Sequence, residues 1–457
     1  MTEIITIETP TLGDRSYLVH DGAVAFVVDP QRDIDRVLDR SLEAGVEITH
    51  IFETHIHNDY VTGGLALAQA TGAQYLVNEE DEVSFARTPV KDGQRITVSP
   101  SLTITAMATP GHTFTHLSYV LESSGEQVAV FTGGSLLYGS TGRPDLAGPE
   151  HTHDLARHQY HSVQRLAAEL PESAELLPTH GFGSFCSIGQ PAVTASTIGE
   201  EKRSNPVLTQ DEEDYVKDLL EGLDAFPAYY ARMAPLNLAG PSAPDLEFPD
   251  QADAAELRAR IAAGEWVVDL RTRTAFAAGH APGTLNFGLD GSFATYLGWL
   301  IPWGTPVTLL GASAEDVAEA QRELVRIGID RPAAAATGNP REWAAGEVAS
   351  FPRADFSELS GIRHHRQVAV LDVRRSNEWS RKHIDGAVHI PLHELPGRLD
   401  QLPAGEIWVH CASGYRASIA ASFLAANGQQ VVLIDDKFTH AAKAGIPMAG
   451  FEASGGS

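Results

Sequence analysis

The sequence predicts an α/β chain made of one large N-terminal unit and two smaller units with parallel sheets. Three observations predict it. At 457 residues with 43% hydrophobic side chains, the chain is too long for a single core and rich enough in apolar residues for three. Two proline-rich stretches, Pro235 to Pro249 and Asn339 to Asp355, read as linkers. The segments on either side of the second stretch resemble each other, as a duplication would. The expected boundaries are 1–240, 250–345 and 355–450.

Charge and cysteine usage narrow the function class. With 33 basic and 60 acidic residues the formal charge is -27, which disfavours nucleic acid and anionic membranes as partners. Two cysteines far apart, Cys186 and Cys411, exclude a disulfide framework and fit a reducing compartment. No basic n-region followed by an apolar stretch opens the sequence, and no apolar run approaches about 18 residues. A cytoplasmic location is the expectation.

In the first segment, β-type runs (Ile4 to Glu8, Ser16 to His20, Ala23 to Val28) precede loops rich in His and Gly. The strongest local signal is Thr54-His55-Ile56-His57-Asn58-Asp59-Tyr60, after the apolar run Ile48 to Phe52. Histidines at i and i+2 after a strand can turn toward one ion, with Asp59 close behind. Thr109-Pro110-Gly111-His112-Thr113, Phe131-Thr132-Gly133-Gly134 and Pro178-Thr179-His180-Gly181 follow, each a Gly-bearing loop after an apolar run. Imidazoles converging from strand ends commonly assemble a metal site of one or two ions. His151, His153, His158 and His161 lie in a polar stretch and read as a solvated helix face.

The second and third segments repeat one pattern. Val267-Val268-Asp269-Leu270-Arg271 and Gly279-His280-Ala281-Pro282-Gly283 correspond to Leu371-Asp372-Val373-Arg374 and Lys382-His383-Ile384-Asp385-Gly386. Short buried strands alternating with Ala-rich helices predict a parallel sheet in each. Farther on, Val307 to Gly311 aligns with Ile407 to Cys411. The later copy runs Cys411-Ala412-Ser413-Gly414-Tyr415-Arg416 from an apolar strand into a helix. The thiol then faces backbone N–H groups at a helix N-terminus, where negative charge is favoured and the thiol pKa should fall. Arg416 adds a permanent cation. Four residues separate Cys411 from Arg416, one fewer than in a phosphatase loop of related architecture, so the ring suits a persulfide sulfur better than a phosphate. In the earlier copy Gly311 and Asp316 stand at these positions, and no persulfide chemistry is expected there.

On the Cys-x-x-Gly-x-Arg loop and the Asp372-Val373-Arg374…His383-Ile384-Asp385-Gly386-Ala387 signature, residues 355–450 resemble the rhodanese family of sulfurtransferases. The resemblance makes Cys411 the sulfur-carrying nucleophile and Arg416 its catalytic partner, with Ser413, Gly414 and Tyr415 lining the substrate. The histidine loops of residues 1–200 resemble the metallo-β-lactamase superfamily, whose fold is an αββα sandwich. Phe131 to Leu137 with Gly142-Arg143-Pro144-Asp145-Leu146 is similar to its persulfide dioxygenase branch, as is the order of domains in fusions with rhodanese repeats. The resemblance implies a mononuclear Fe(II), with zinc as the alternative, held by His55, His57 and His112.

This sequence departs from the superfamily in two places. Tyr60 replaces a second-site histidine and Gly134 replaces the metal-binding aspartate, which weakens the site and argues against a dinuclear hydrolase. The expected activity is oxidation of a low-molecular-weight thiol persulfide by O₂ to sulfite, coupled to sulfur transfer through Cys411 to sulfite or another acceptor. Tethering the two favours capture of the reactive sulfur. The alternatives are a sulfurtransferase with a non-catalytic N-terminal domain and, third, a thiolester hydrolase of the glyoxalase II type. Cys186 is a sulfur relay or an apolar filler. Arg143 binds substrate or forms an ion pair, and Tyr60 meets a metal-bound water or packs in the core. A homo-oligomer is expected.

Overall fold

The computed structural model describes residues 2–187 and 193–450. They form two units. One takes the chain up to Asp245 together with Leu324–Ile329, and the other takes Leu246–Glu323 and the described chain from Asp330.

The first unit is an αββα sandwich. Its first sheet runs Glu3–Thr9, Asp14–His20, Val24–Val28, Glu47–Phe52, Gln74–Asn78 and Thr88–Val90, antiparallel over the first three strands and parallel thereafter. The second sheet has the order Glu175–Pro178, Glu126–Gly133, Leu117–Ser123, Leu102–Ala108 and Arg95–Thr97. Tyr17, Phe26, Phe52, Tyr119 and Phe131 fill the space between the sheets, each contributing roughly 1.5–3 kcal/mol of burial. Leu18, Val27 and Ile51 point the other way, onto Val37 and Leu67 of the helices Asp35–Ala44 and Gly64–Thr71. Because helices cover the outer faces, strands such as Val24–Val28 are apolar on both sides rather than alternating. The helix Thr152–Glu169 covers the second sheet with Leu155, Ala156, Gln159, Val163 and Leu166, at helical spacing. It leaves His151, His153, His158 and His161 exposed.

The second unit contains two parallel sheets built on one plan. The order is Leu285–Asn286, Trp266–Asp269, Val307–Gly311 and Ala334–Thr337 in the first. In the second it is Val388–His389, Ala369–Asp372, Ile407–His410 and Val431–Ile434, with Arg353–Ala354 added at the edge. No helix among the described residues is long and apolar enough to cross a membrane.

The boundary between the units falls inside the first proline-rich stretch, whose residues 240–250 carry no regular structure, but each stretch also contributes to a helix. Pro235 lies inside the helix Tyr230–Ala239. Pro340 opens the helix Pro340–Ala344, where its missing N–H costs nothing, and Asn339 caps that helix. The first of these helices has a task. Asn237 donates to the carbonyls of His57 and Tyr60, both at 2.9 Å, and accepts from the Thr62 N–H, so it holds the histidine loop in shape.

Candidate functional site

In the first unit the functional side chains come from strand ends. His55, His57 and Asp59 follow Glu47–Phe52, His112 follows Leu102–Ala108, and His180 follows Glu175–Pro178. All five are buried. His55, His112 and His180 offer ligand atoms within 4.8 Å of one another, as do His57, Asp59 and His180. The expected trio of His55, His57 and His112 is not such a group among the described residues.

Hydrogen bonds decide which nitrogen of each ring is free. The Thr54 hydroxyl donates to Asp29, so at 2.9 Å it accepts from His55 Nδ1–H. The His112 Nδ1–H donates to the Arg143 carbonyl at 2.8 Å, leaving a buried Nε2 without a partner. The His180 Nδ1–H donates to Asp14 at 2.9 Å and lies 3.0 Å from Asp59, while its Nε2 is 3.3 Å from His55 Nε2. His57 is turned the other way. Its Nε2 faces Tyr60 Oη at 2.9 Å, Glu53 at 3.3 Å and Asp29 at 3.4 Å. Its Nδ1 has no partner and lies 4.0 Å from Asp59.

The charges sort accordingly. Burial opposes protonation of both rings, yet Asp29 and Glu53 push His57 up to about 9, and Asp59 and Asp14 push His180 up to about 10. Burial, then the charge of His180, brings His112 down to about 3. Burial, then neighbouring imidazoles, puts His55 well below the ordinary histidine value. His55 and His112 are therefore free bases, the form that binds metal. Several buried donor atoms without hydrogen-bond partners (His112 Nε2, His57 Nδ1 and Asp59 Oδ1) cluster here, which is costly unless something binds them. The residues present fit a metal ion.

The two departures from the superfamily take physical form. Tyr60 is buried, stacked on His57 at 4.3 Å between ring centres. A Cβ at Gly134 would collide with the His112 ring, so that ring occupies the place of the absent aspartate side chain. Arg143 has its guanidinium committed: it pairs with Asp145 through two bonds, donates to the carbonyls of Phe185 and Asp224, and stacks on Phe226. Cys186 is buried, and burial, then the charges of Asp59 and Asp14, push its thiol well up, away from a nucleophilic thiolate.

The sequence reading missed Asp14, Asp29, Glu53 and His116. Asp29 sits at a positive φ of 50° after Val24–Val28 and accepts from the Thr54 amide and hydroxyl and the Thr179 hydroxyl. His116 accepts from the Gly134 N–H and bonds Thr109, so neither ring nitrogen is free for metal. A lone aspartate at a strand end was the only signal for Asp14 and Asp29.

In the second unit Cys411 is buried at the end of Ile407–His410, and the Gly414 N–H donates to its sulfur at 3.2 Å. Gly414 has a φ of 99°, and a Cβ there would collide with Asp435. Arg416 is gripped by Glu378 through two bonds of 2.6 and 2.9 Å. Burial would raise the Glu378 carboxyl, but the hydrogen bonds and charge of Arg416 bring it down to about 2. Ser413 is exposed and lines a cleft of about 550 Å³ with Arg273, Asp290 and Lys437. The Tyr415 hydroxyl donates to the Gly288 carbonyl of the first repeat at 2.8 Å. Arg416 lines a narrower pocket with Arg375, His393 and three residues of the first repeat, Tyr296, Trp299 and Leu300.

Comparison with known proteins agrees with this architecture. The metallo-beta-lactamase superfamily matches residues 12–180 and the rhodanese-like domain matches residues 355–441. A Homo sapiens persulfide dioxygenase is 29% identical over 46% of this chain and 74% of its own length. A hydroxyacylglutathione hydrolase of Synechococcus sp. is 30% identical over 45% of this chain and 88% of its own. The crystal structure of a metallo-beta-lactamase from Staphylococcus aureus superposes with a TM-score of 0.66 at 25% identity, covering 74% of this chain and 99% of that one. The chain belongs to the metallo-beta-lactamase superfamily and carries a rhodanese-like domain in its C-terminal part.

Proposed function

We propose that the chain oxidises a low-molecular-weight thiol persulfide to sulfite and transfers sulfane sulfur through Cys411, in sulfide detoxification. The observation that carries the reading is the Cys411 loop, with the Gly414 N–H on the sulfur and Arg416 clamped by Glu378. The persulfide dioxygenase relatives support the oxidative half. Two free thiols in the whole chain fit a reducing, cytoplasmic setting.

In the oxidative half, a persulfide, O₂ and water give the thiol, sulfite and two protons. A mononuclear metal, iron by analogy with the dioxygenases, would bring O₂ and the persulfide sulfur together and mediate the electron transfer. His55 and His112 would hold it, with a third buried imidazole that converges on the same point completing the set. The chain's own part is orientation: Thr54, the Arg143 carbonyl and Asp14 each fix one ring through its Nδ1.

In the transfer half, Cys411 attacks the outer sulfur of a persulfide, the S–S bond breaks and the thiol departs, leaving a Cys411 persulfide. Sulfite then attacks the outer sulfur, giving thiosulfate and returning the Cys411 sulfur as leaving group. The Gly414 N–H and the Arg416 charge stabilise that sulfur at both stages.

Hydroxyacylglutathione hydrolase relatives raise the hydrolase reading, but Tyr60 and Gly134 remove a second-site imidazole and the carboxylate that would bridge two ions. The test is O₂ uptake and thiosulfate formation with a thiol persulfide. His112→Ala is expected to abolish O₂ uptake and spare sulfur transfer, and Cys411→Ser to do the reverse. Sulfur transfer without O₂ uptake in the wild-type chain would leave a sulfurtransferase alone, and hydrolysis of a glutathione thiolester would favour the hydrolase.

A further inference from the structure

The missing aspartate has a structural replacement. Three rings, His55, His112 and His180, share one arrangement: Nδ1 is tied to an oxygen outside the site and Nε2 is left to face inward. The tethers are the Thr54 hydroxyl, the Arg143 carbonyl and the Asp14 carboxylate, at 2.9, 2.8 and 2.9 Å. The offered nitrogens lie within 4.8 Å of one another, and the 3.3 Å between His55 Nε2 and His180 Nε2 is a spacing that two ligands of one ion can adopt. His112 Nε2 is buried with no partner at all. His57 lacks this arrangement, because the nitrogen opposite its free Nδ1 faces Asp29, Glu53 and Tyr60 in the sheet interior.

We infer that the first unit binds one divalent transition-metal ion through Nε2 of His55, His112 and His180, an all-imidazole set in which His180 takes the part that a carboxylate at position 134 would have played. The packing at Gly134 agrees: the His112 ring fills the space, leaving no room for a side chain while that ring stays in place. His180 is reinforced as metal-binding histidines usually are, by a carboxylate on its far nitrogen. Coordination takes the second proton from His180, and the Asp59 carboxylate, 3.0 Å from His180 Nδ1, offsets only part of the charge of the ion. The ligand class that suits it is therefore a small anion with a soft donor, such as a persulfide or thiolate. The inference rests on the proposed dioxygenase only in assuming that a metal occupies this centre, and its test reads binding rather than turnover.

The test is titration of the full, metal-stripped chain with Co(II), followed by visible absorption and by competition with a chelator. One Co(II) per chain is expected. His55→Gln, His112→Gln and His180→Gln should each abolish the absorption band, while His57→Gln should leave band and affinity unchanged. Asp14→Asn keeps every imidazole but loses the tether on His180, and should weaken binding about 10–100-fold. Thermal melts establish that each variant is folded; should His180→Gln fail to fold, Asp14→Asn carries the test. Absence of Co(II) binding, wild-type affinity in His180→Gln or Asp14→Asn, or a loss in folded His57→Gln equal to that in His180→Gln would overturn the assignment. A chain that binds Co(II) in this pattern, yet takes up no O₂ when loaded with iron and given persulfide, would refute the dioxygenase and leave the metal site standing.

Discussion

The two repeats of the second unit share a frame and differ in one loop. In the first, Arg271 pairs with the buried Asp269, donates to the Gly279 carbonyl at 2.9 Å and lies over Trp343. In the second, Arg374 pairs with Asp372, donates to the Lys382 carbonyl at 2.8 Å and lies over Phe438. His280 stacks on Phe276 and His383 on Trp379, each bonding through Nδ1 to a backbone carbonyl. The Asp-x-Arg and His signature is therefore a device for joining strand to helix, and it persists in a repeat that has Gly311 and Asp316 in place of the cysteine and the loop arginine. At the loop the copies part. The Gly414 N–H meets the Cys411 sulfur, whereas the Ser313 N–H is taken by the Asp316 carboxylate at 3.1 Å. In the first repeat a carboxylate of the following helix takes the loop N–H. What that repeat supplies instead is wall: Tyr296 and Trp299 beside Arg416, and the carbonyl that receives Tyr415.

The largest expected effect tests that division. Cys411→Ser should reduce sulfur transfer, measured with a sulfane donor and cyanide, to background. Gly311→Cys placed in that variant should restore none, since its Cβ would press on Asp316 and Val317; restored transfer would break the comparison. Next come Asp269→Asn and Asp372→Asn. Asp372→Asn leaves the buried Arg374 without its charge partner and should cost about 3–5 kcal/mol in urea unfolding, while Asp269→Asn, beside the partly exposed Arg271, should cost less. A loss in both would support one shared frame, and a loss in the second repeat alone would mean that the signature carries structural weight only there. Gly414→Ala forces a side chain into a left-handed φ against Asp435 and should cost roughly 1–3 kcal/mol, with slower sulfur transfer. The smallest effect is acid sensitivity. Arg416 holds the folded Glu378 carboxyl at about 2 against an ordinary 4.5. Its stabilisation is thus complete above pH 4.5 and is lost as pH falls toward 2. Glu378→Gln should flatten that part of the stability–pH curve, and an unchanged curve would mean that the pair contributes nothing.

Much of this was legible in the sequence, for different reasons. Strand patterns and the repeat are local, so the parallel architecture of the second unit followed from short windows, while the αββα sandwich followed from the resemblance of the histidine loops to the metallo-β-lactamase superfamily. The Cys411 loop was legible because its parts lie within six consecutive positions and act on one another. Both breaks were read as linkers because proline marks boundaries, and yet Pro235 sits within a helix whose Asn237 props the histidine loop. Arg143 was left open between substrate binding and an ion pair; the pair with Asp145 is local, whereas its further partners Phe185 and Asp224 are remote in the chain.

By itself the sequence determined which side chains could carry the chemistry: a thiol at a helix start, an arginine beside it, and histidines at strand ends. Only the tertiary structure decided which of those histidines face a common point. A ring has two nitrogens, and which one is free depends on the partner that holds the other. For His180 that partner is Asp14, on a strand at the opposite end of the unit's sequence. No spacing rule reaches across such a distance, because the hydrogen bond that orients the ring exists only once the two sheets have packed.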